Sequence, residues 1–196
     1  MSSSSPSTVM PAILNAAHGA RELDLLMPLL YFYNQDELPL PPVSFHDGEK
    51  LPQPQRSLLV HQSDMTPTLR AHHGSDITLE VVQAEMSDDY VMRQVVLHRK
   101  NDGAPVEYGA IGIQLEGFPD KVKRLIREGH EPLGGILEAE NIPHQSAPRA
   151  WFTIEADEHT GDLLRVPPGT KLHGRCNALS HPGGIVFADV VEILPP

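Results

Sequence analysis

The clearest pattern in the chain is a series of short runs rich in apolar residues and separated by turn residues. Residues 78–86, 89–99 and 105–115 are such runs and predict strands. Asp102-Gly103 between the second and third is a hairpin signal, since glycine supplies the positive φ such a turn needs. Three more strands are predicted at 149–156, 171–179 and 184–193. Pro182-Gly183-Gly184 turns the chain between the last two, and a loop covers 157–170.

Helical spacing occurs elsewhere. Residues 119–128 carry apolar Val122, Leu125 and Ile126 at helical intervals and stop at Gly129. Leu133 to Glu140 forms a second short helix, and Thr66 to His73 gives one or two turns ended by Gly74. Leu23, Leu25, Leu26, Met27, Leu29 and Leu30 make a helix-like cluster over 20–33, which Pro28 is expected to kink or split. Pro39, Pro41, Pro42, Pro52 and Pro54 argue that 38–55 is an extended arm without regular structure. The Ser-rich stretch 1–18 is expected to be disordered, 19–56 to be a helix plus the arm, and 57–196 to be the main domain. No internal repeat is visible. Helices, then hairpin-linked strands, then helices and strands again imply an α+β fold, an antiparallel sheet with helices packed on it.

The 196 residues include 40% hydrophobic side chains, enough for a packed core. The formal charge of -11 repels phosphate backbones and anionic lipid, so neither nucleic acid nor a membrane is an expected partner. A single cysteine, Cys176, allows no intrachain disulfide and is expected to be inert on the apolar face of its strand with Leu172 and Ala178. The N-terminus has neither the cationic start nor the apolar core of a signal peptide, and a cytoplasmic location is expected. A homodimer is left open.

Two charges stand on otherwise apolar strand faces. Val91, Arg93, Val95 and Leu97 share one face of their strand, and Ile185, Phe187, Asp189, Val191 and Ile193 share one face of the last strand. A buried charge needs a partner. Arg93 and Asp189 either pair with each other or face a ligand, the guanidinium gripping a carboxylate and the aspartate acting as acid or base. A two-residue turn at Asp102-Gly103 would set Arg93 opposite Gly112, with Ala110 on the same face and Gly109 on the other. Arg175 falls with Lys171 and His173 on a polar face and is expected in solvent. The 11 histidines show no metal-ligand spacing, and no G-x-S-x-G elbow marks a serine hydrolase.

These residues, taken in order, resemble the bacterial chorismate pyruvate-lyases. Asp64-Met65-Thr66 resembles their D-x-M-T region with the spacer absent. Tyr90 to Leu97 looks like the strand that bears their substrate-binding arginine, in whose place Arg93 stands. Asp102-Gly103, Pro105 and Gly109 are similar to the following hairpin and its ligand-contacting glycine. Pro132-Leu133-Gly134 resembles their P-L-G helix start, Gly174-Arg175 a late G-R pair, and Ala188-Asp189 a Thr-Glu pair whose glutamate is the proposed acid. The resemblance covers roughly 57–193. It implies elimination of pyruvate from chorismate to leave 4-hydroxybenzoate, without metal or redox cofactor. Arg93 would anchor a carboxylate, Asp189 would donate a proton, Met65 and Leu133 would wall the ring, Gly109 would contact the ligand, and Arg175 would take a second carboxylate. Two departures stand out: Asp189 is one methylene shorter than glutamate, and the proline-rich arm has no counterpart. The same fold serves as the effector-binding domain of some bacterial transcription regulators, whose DNA-binding domain has no room before residue 57. Three readings remain open: a lyase, a non-catalytic module that binds a small aromatic carboxylate, and a structural protein in which Arg93 and Asp189 pair.

Overall fold

The computed structural model describes residues 24–196; the expectation of disorder at 1–18 lies outside them. Seven antiparallel strands form one sheet in the order β1-β5-β6-β7-β4-β3-β2. They are β1 (Val43–His46), β2 (Ile77–Met86), β3 (Tyr90–Arg99), β4 (Pro105–Gln114), β5 (Gln145–Glu155), β6 (Lys171–Ser180) and β7 (Val186–Leu194). The helices are α1 (Met27–Gln35), α2 (Gln55–Leu59), α3 (Met65–His73), α4 (Asp120–Glu128), α5 (Leu133–Ala139) and α6 (Glu158–Leu164). The α+β class and the antiparallel sheet are as expected.

Helices cover both faces of the sheet. On one, Leu29, Phe32 and Tyr33 of α1 and Leu164 of α6 pack against Tyr108, Phe152, Cys176 and Val191. On the other, Ile126 of α4 and Leu133 and Ile136 of α5 meet Val91, Ile111 and Leu179. Leu59 of α2 and Met65 and Leu69 of α3 meet Leu97 and Leu194 beside them. Cys176 is buried with Leu172 and Ala178, and burial pushes its thiol up to about 12.

The helical run over 20–33 is interrupted as expected: residues 24–25 are helical, Leu26 is a turn, and α1 begins at Met27 with Pro28 in its first turn, where no intrahelical donor is required. Two local expectations are corrected. The segment 38–55 is not wholly irregular: β1 pairs with β5 at the sheet edge, and a 3-10 turn comes next at Gly48–Lys50. Its prolines flank the strand instead of interrupting it, which an edge position tolerates. The expected loop 157–170 contains α6, whose first turn is capped by Asp157, its side chain accepting from the Thr160 amide at 2.7 Å.

The β3–β4 register decides which side chains share a face with Arg93. A shift between Leu97 and His98 places Arg93 opposite Ile111, not Gly112. One residue of slip moves every side chain to the other face. Gly109 therefore lies on the same face as Arg93, together with Glu107.

Gly174 shows how tightly the sheet and its cover fit. A Cβ there would collide with Phe152 Cζ and lie 2.6 Å from the Glu192 carbonyl oxygen. The carbonyl belongs to the sheet ladder and cannot retreat. Gly174→Ala is expected to lower stability by about 1–3 kcal/mol, read as an earlier urea midpoint; an unchanged midpoint would refute this packing.

Candidate functional site

A cavity lies between the sheet and the N-terminal ends of α3 and α5. Asp64, Met65 and Thr66 line one wall, Pro132, Leu133 and Gly134 another, and the floor comes from β3, β4, β6 and β7. It encloses about 60 Å³, room for several waters at about 10–15 Å³ each, and is partly open to solvent. Gly134 brings the two helix starts together, since a Cβ on it would lie 3.1 Å from Thr66 Oγ1.

Arg93 projects from β3 into this space and is 2% exposed. Its Nη1 donates to the Ile126 carbonyl at 3.2 Å, while its buried Nε has no partner. No carboxylate among the described residues pairs with it. Burial alone pushes its pKa down to about 10, so it remains a cation at neutral pH. Ile126 stands in the last turn of α4, and Gly129, capping that helix at φ 65°, is beside Nη1. The partial negative charge of a helix C-terminus thus stands in for a counter-ion.

The acidic residues of the site come from different positions than expected. Glu107 on β4 is 4% exposed, lines the cavity, and its Oε2 has no hydrogen-bond partner. Burial, then the Glu192 carboxylate, push its pKa well above the usual carboxylate range, with Arg175 opposing. Its protonated form is therefore favoured over what an exposed carboxyl would show. Glu192 on β7 also lines the cavity and pairs with Arg175 Nε. Glu192 is hard to single out in the sequence because β7 is apolar on both faces. That pattern signals a strand covered on both sides, where any charge needs a partner.

Arg175 is fully buried, contrary to the expected solvent position. Alternation assigned it to the right face; the error lay in taking that face as open, when α2 and the loop after it cover it. Besides Glu192 it donates to the carbonyls of Leu59 at 3.4 Å, His61 at 3.1 Å and Ser63 at 3.2 Å. These contacts fasten the 59–63 segment to the sheet, and Arg175 is not among the residues lining the cavity. His61 lies against it and has its pKa lowered by burial and by that guanidinium.

Asp189 also departs from expectation. It points to the face opposite Arg93 and is 54% exposed in its side chain, paired with Arg149 at 3.0 Å. It shares that face with buried Val191 and Ile193, but the helical cover ends before reaching it. Neither an Arg93–Asp189 pair nor an inward Asp189 exists. The cavity does bring together Arg93, Met65, Gly109 and Leu133 of the expected set. At its rim Asp64 accepts from His144 Nε2 at 2.8 Å, with the other Asp64 oxygen unpartnered.

Solved structures with the same arrangement of strands and helices are found among bacterial proteins. PhnF from Mycobacterium smegmatis aligns with a TM-score of 0.53 at 12% identity, over 69% of this chain and 65% of that one. This chain thus spans under two thirds of PhnF. The effector domain of PhnF alone gives 0.51 at 13% identity, over 68% and 88%. A gene product of Staphylococcus aureus subsp. aureus N315 gives 0.51 at 8% identity, over 69% and 90%. No protein-family model matches the chain, and no curated protein does. The fold is that of the PhnF effector domain. No helix among the described residues is long and apolar enough to cross a membrane.

Variants at three positions should separate these roles. Arg175→Met leaves Glu192 and Glu107 buried without a cation and should cost about 3–5 kcal/mol in urea unfolding, whereas Asp189→Ala should change stability by less than about 0.5 kcal/mol. Equal effects would contradict the placement of either residue. Glu107 is held above its ordinary value of 4.5. Its contribution is therefore present below pH 4.5 and lost as pH rises towards the folded value. Glu107→Gln should melt above the wild type at pH 8, the gap closing near pH 4; a gap independent of pH would refute the raised pKa of Glu107.

Proposed function

We propose that this chain is a binding module for a small organic monoanion, an aromatic carboxylate, held in the cavity by Arg93. One observation carries the reading. A guanidinium buried to 2% exposure faces an apolar-walled space with no carboxylate partner among the described residues. Desolvating such a cation costs several kcal/mol, and a carboxylate in its fork of donors would offset that cost. Met65, Leu133 and Leu179 supply apolar surface for a ring, and Gly109 leaves the sheet floor bare beneath it. Likeness to an effector domain supports binding as the use of the cavity.

A second reading, the elimination of pyruvate from chorismate, is favoured by one feature. A glutamate does face the cavity from the last strand, at Glu192 instead of Asp189, with Glu107, whose pKa burial raises, beside it. In that reaction the ring C–O bond breaks, the ring loses a proton as it becomes aromatic, and enolpyruvate takes one up. Chorismate carries two carboxylates, however, and Arg175 is engaged by Glu192 and three carbonyls. Among the described residues lining the cavity, Arg93 alone is a cation free for the ligand. The binding reading is accordingly preferred.

Thermal melting with and without 4-hydroxybenzoate, paired with a coupled assay for pyruvate from chorismate, tests both. The expected result is a stabilising shift that vanishes in Arg93→Met, with no pyruvate released. Ligand-free Arg93→Met should melt at or above the wild type, because an apolar chain of similar length replaces a buried unpaired charge. A shift that survives in Arg93→Met sinks the anchor. Pyruvate release abolished by Glu192→Gln would establish the lyase reading instead.

A further inference from the structure

The cavity has two chemically different ends. Arg93 occupies one, in the row of Ile111 and Val190. Two residues further along, the row of Val95, Gly109 and Glu192 begins the other end. At about 3.4 Å per residue the rows are about 7 Å apart, close to the length of a para-substituted ring acid. Glu107 starts one row beyond, opposite Leu97, and leans back: a Cβ built on Gly109 would lie 3.3 Å from Glu107 Oε1. Both carboxyls therefore converge on the Gly109 row.

Resting on the anion-binding reading above, we infer that Glu107 is a specificity-determining residue: it excludes a second carboxylate from the far end of the cavity and selects an organic acid bearing an amino group there. Glu107 lines the cavity, and its buried Oε2 has no hydrogen-bond partner. Arg93 is the one cation among the described lining residues, and with Arg175 already bound to Glu192 one ligand carboxylate neutralises that cation. A second carboxylate would add negative charge to a desolvated site already lined by three carboxyls, those of Asp64, Glu107 and Glu192. An amino group presents two N–H donors to those oxygens, where a hydroxyl presents one donor and two lone pairs.

Isothermal titration of the full chain at pH 7 with 4-aminobenzoate, 4-methylbenzoate, terephthalate and benzoate tests the inference. The amino compound should bind at least tenfold more tightly than its methyl isostere, and terephthalate at least tenfold more weakly than the methyl compound. In Glu107→Leu the amino preference should collapse to within threefold, with benzoate affinity retained. The wild-type ordering needs no variant, so the test holds even if the leucine variant fails to fold. Terephthalate binding as well as 4-aminobenzoate, or an amino preference that survives in Glu107→Leu, overturns the inference while leaving Arg93 as anchor. Absence of binding by every acid, benzoate included, overturns both this inference and the reading on which it rests.

Discussion

The whole site depends on a guanidinium held out of water with no acidic side chain among the described residues to neutralise it. Arg93 stays charged because burial brings its pKa down only to about 10. The fold tolerates it through one carbonyl at the end of α4 and the helix dipole behind that carbonyl. Such compensation is partial. An apolar residue would pack into the same space at lower cost, so the arginine is understandable chiefly through what it can hold. None of the nearby carboxyls pairs with it: Asp189 is on the opposite face, Glu192 is bound to Arg175, Asp64 is bound to His144, and burial raises the pKa of Glu107.

Arg175 and Arg93 show how one residue type serves two purposes in one domain. Arg175 is saturated, its donors distributed over Glu192 and the 59–63 backbone, and it joins the segment before α3 to the sheet. That junction sets where α3 begins, and hence where Asp64, Met65 and Thr66 stand at the cavity. Arg93 has donors left over. Packing between α3 and α5 is close at Gly134, so the two helix starts frame the opening as a unit.

Strands and turns were largely legible in the sequence because short apolar runs bounded by turn residues, Asp102-Gly103 among them, are local signals. The helices α3 and α4 were legible too, through Gly74 and Gly129, both found in the left-handed conformation their position requires. The buried Arg93 was legible from its apolar neighbours on β3. What escaped depends on tertiary context. Alternation tells which face a residue is on but not where the helical cover ends, and so Asp189 and Arg175 were each assigned the wrong exposure. A register shift of one residue hid the shared face of Arg93, Gly109 and Glu107. Glu192 was masked by an apolar run that signals burial on both faces of β7.

The most direct test of an anion seat at Arg93 is a crystal structure of the chain grown with benzoate. The account predicts the carboxylate on the Arg93 guanidinium, with the ring over Gly109 between Met65 and Leu133. Benzoate found only at other positions, with the Arg93 cavity closed by its own side chains, would contradict it.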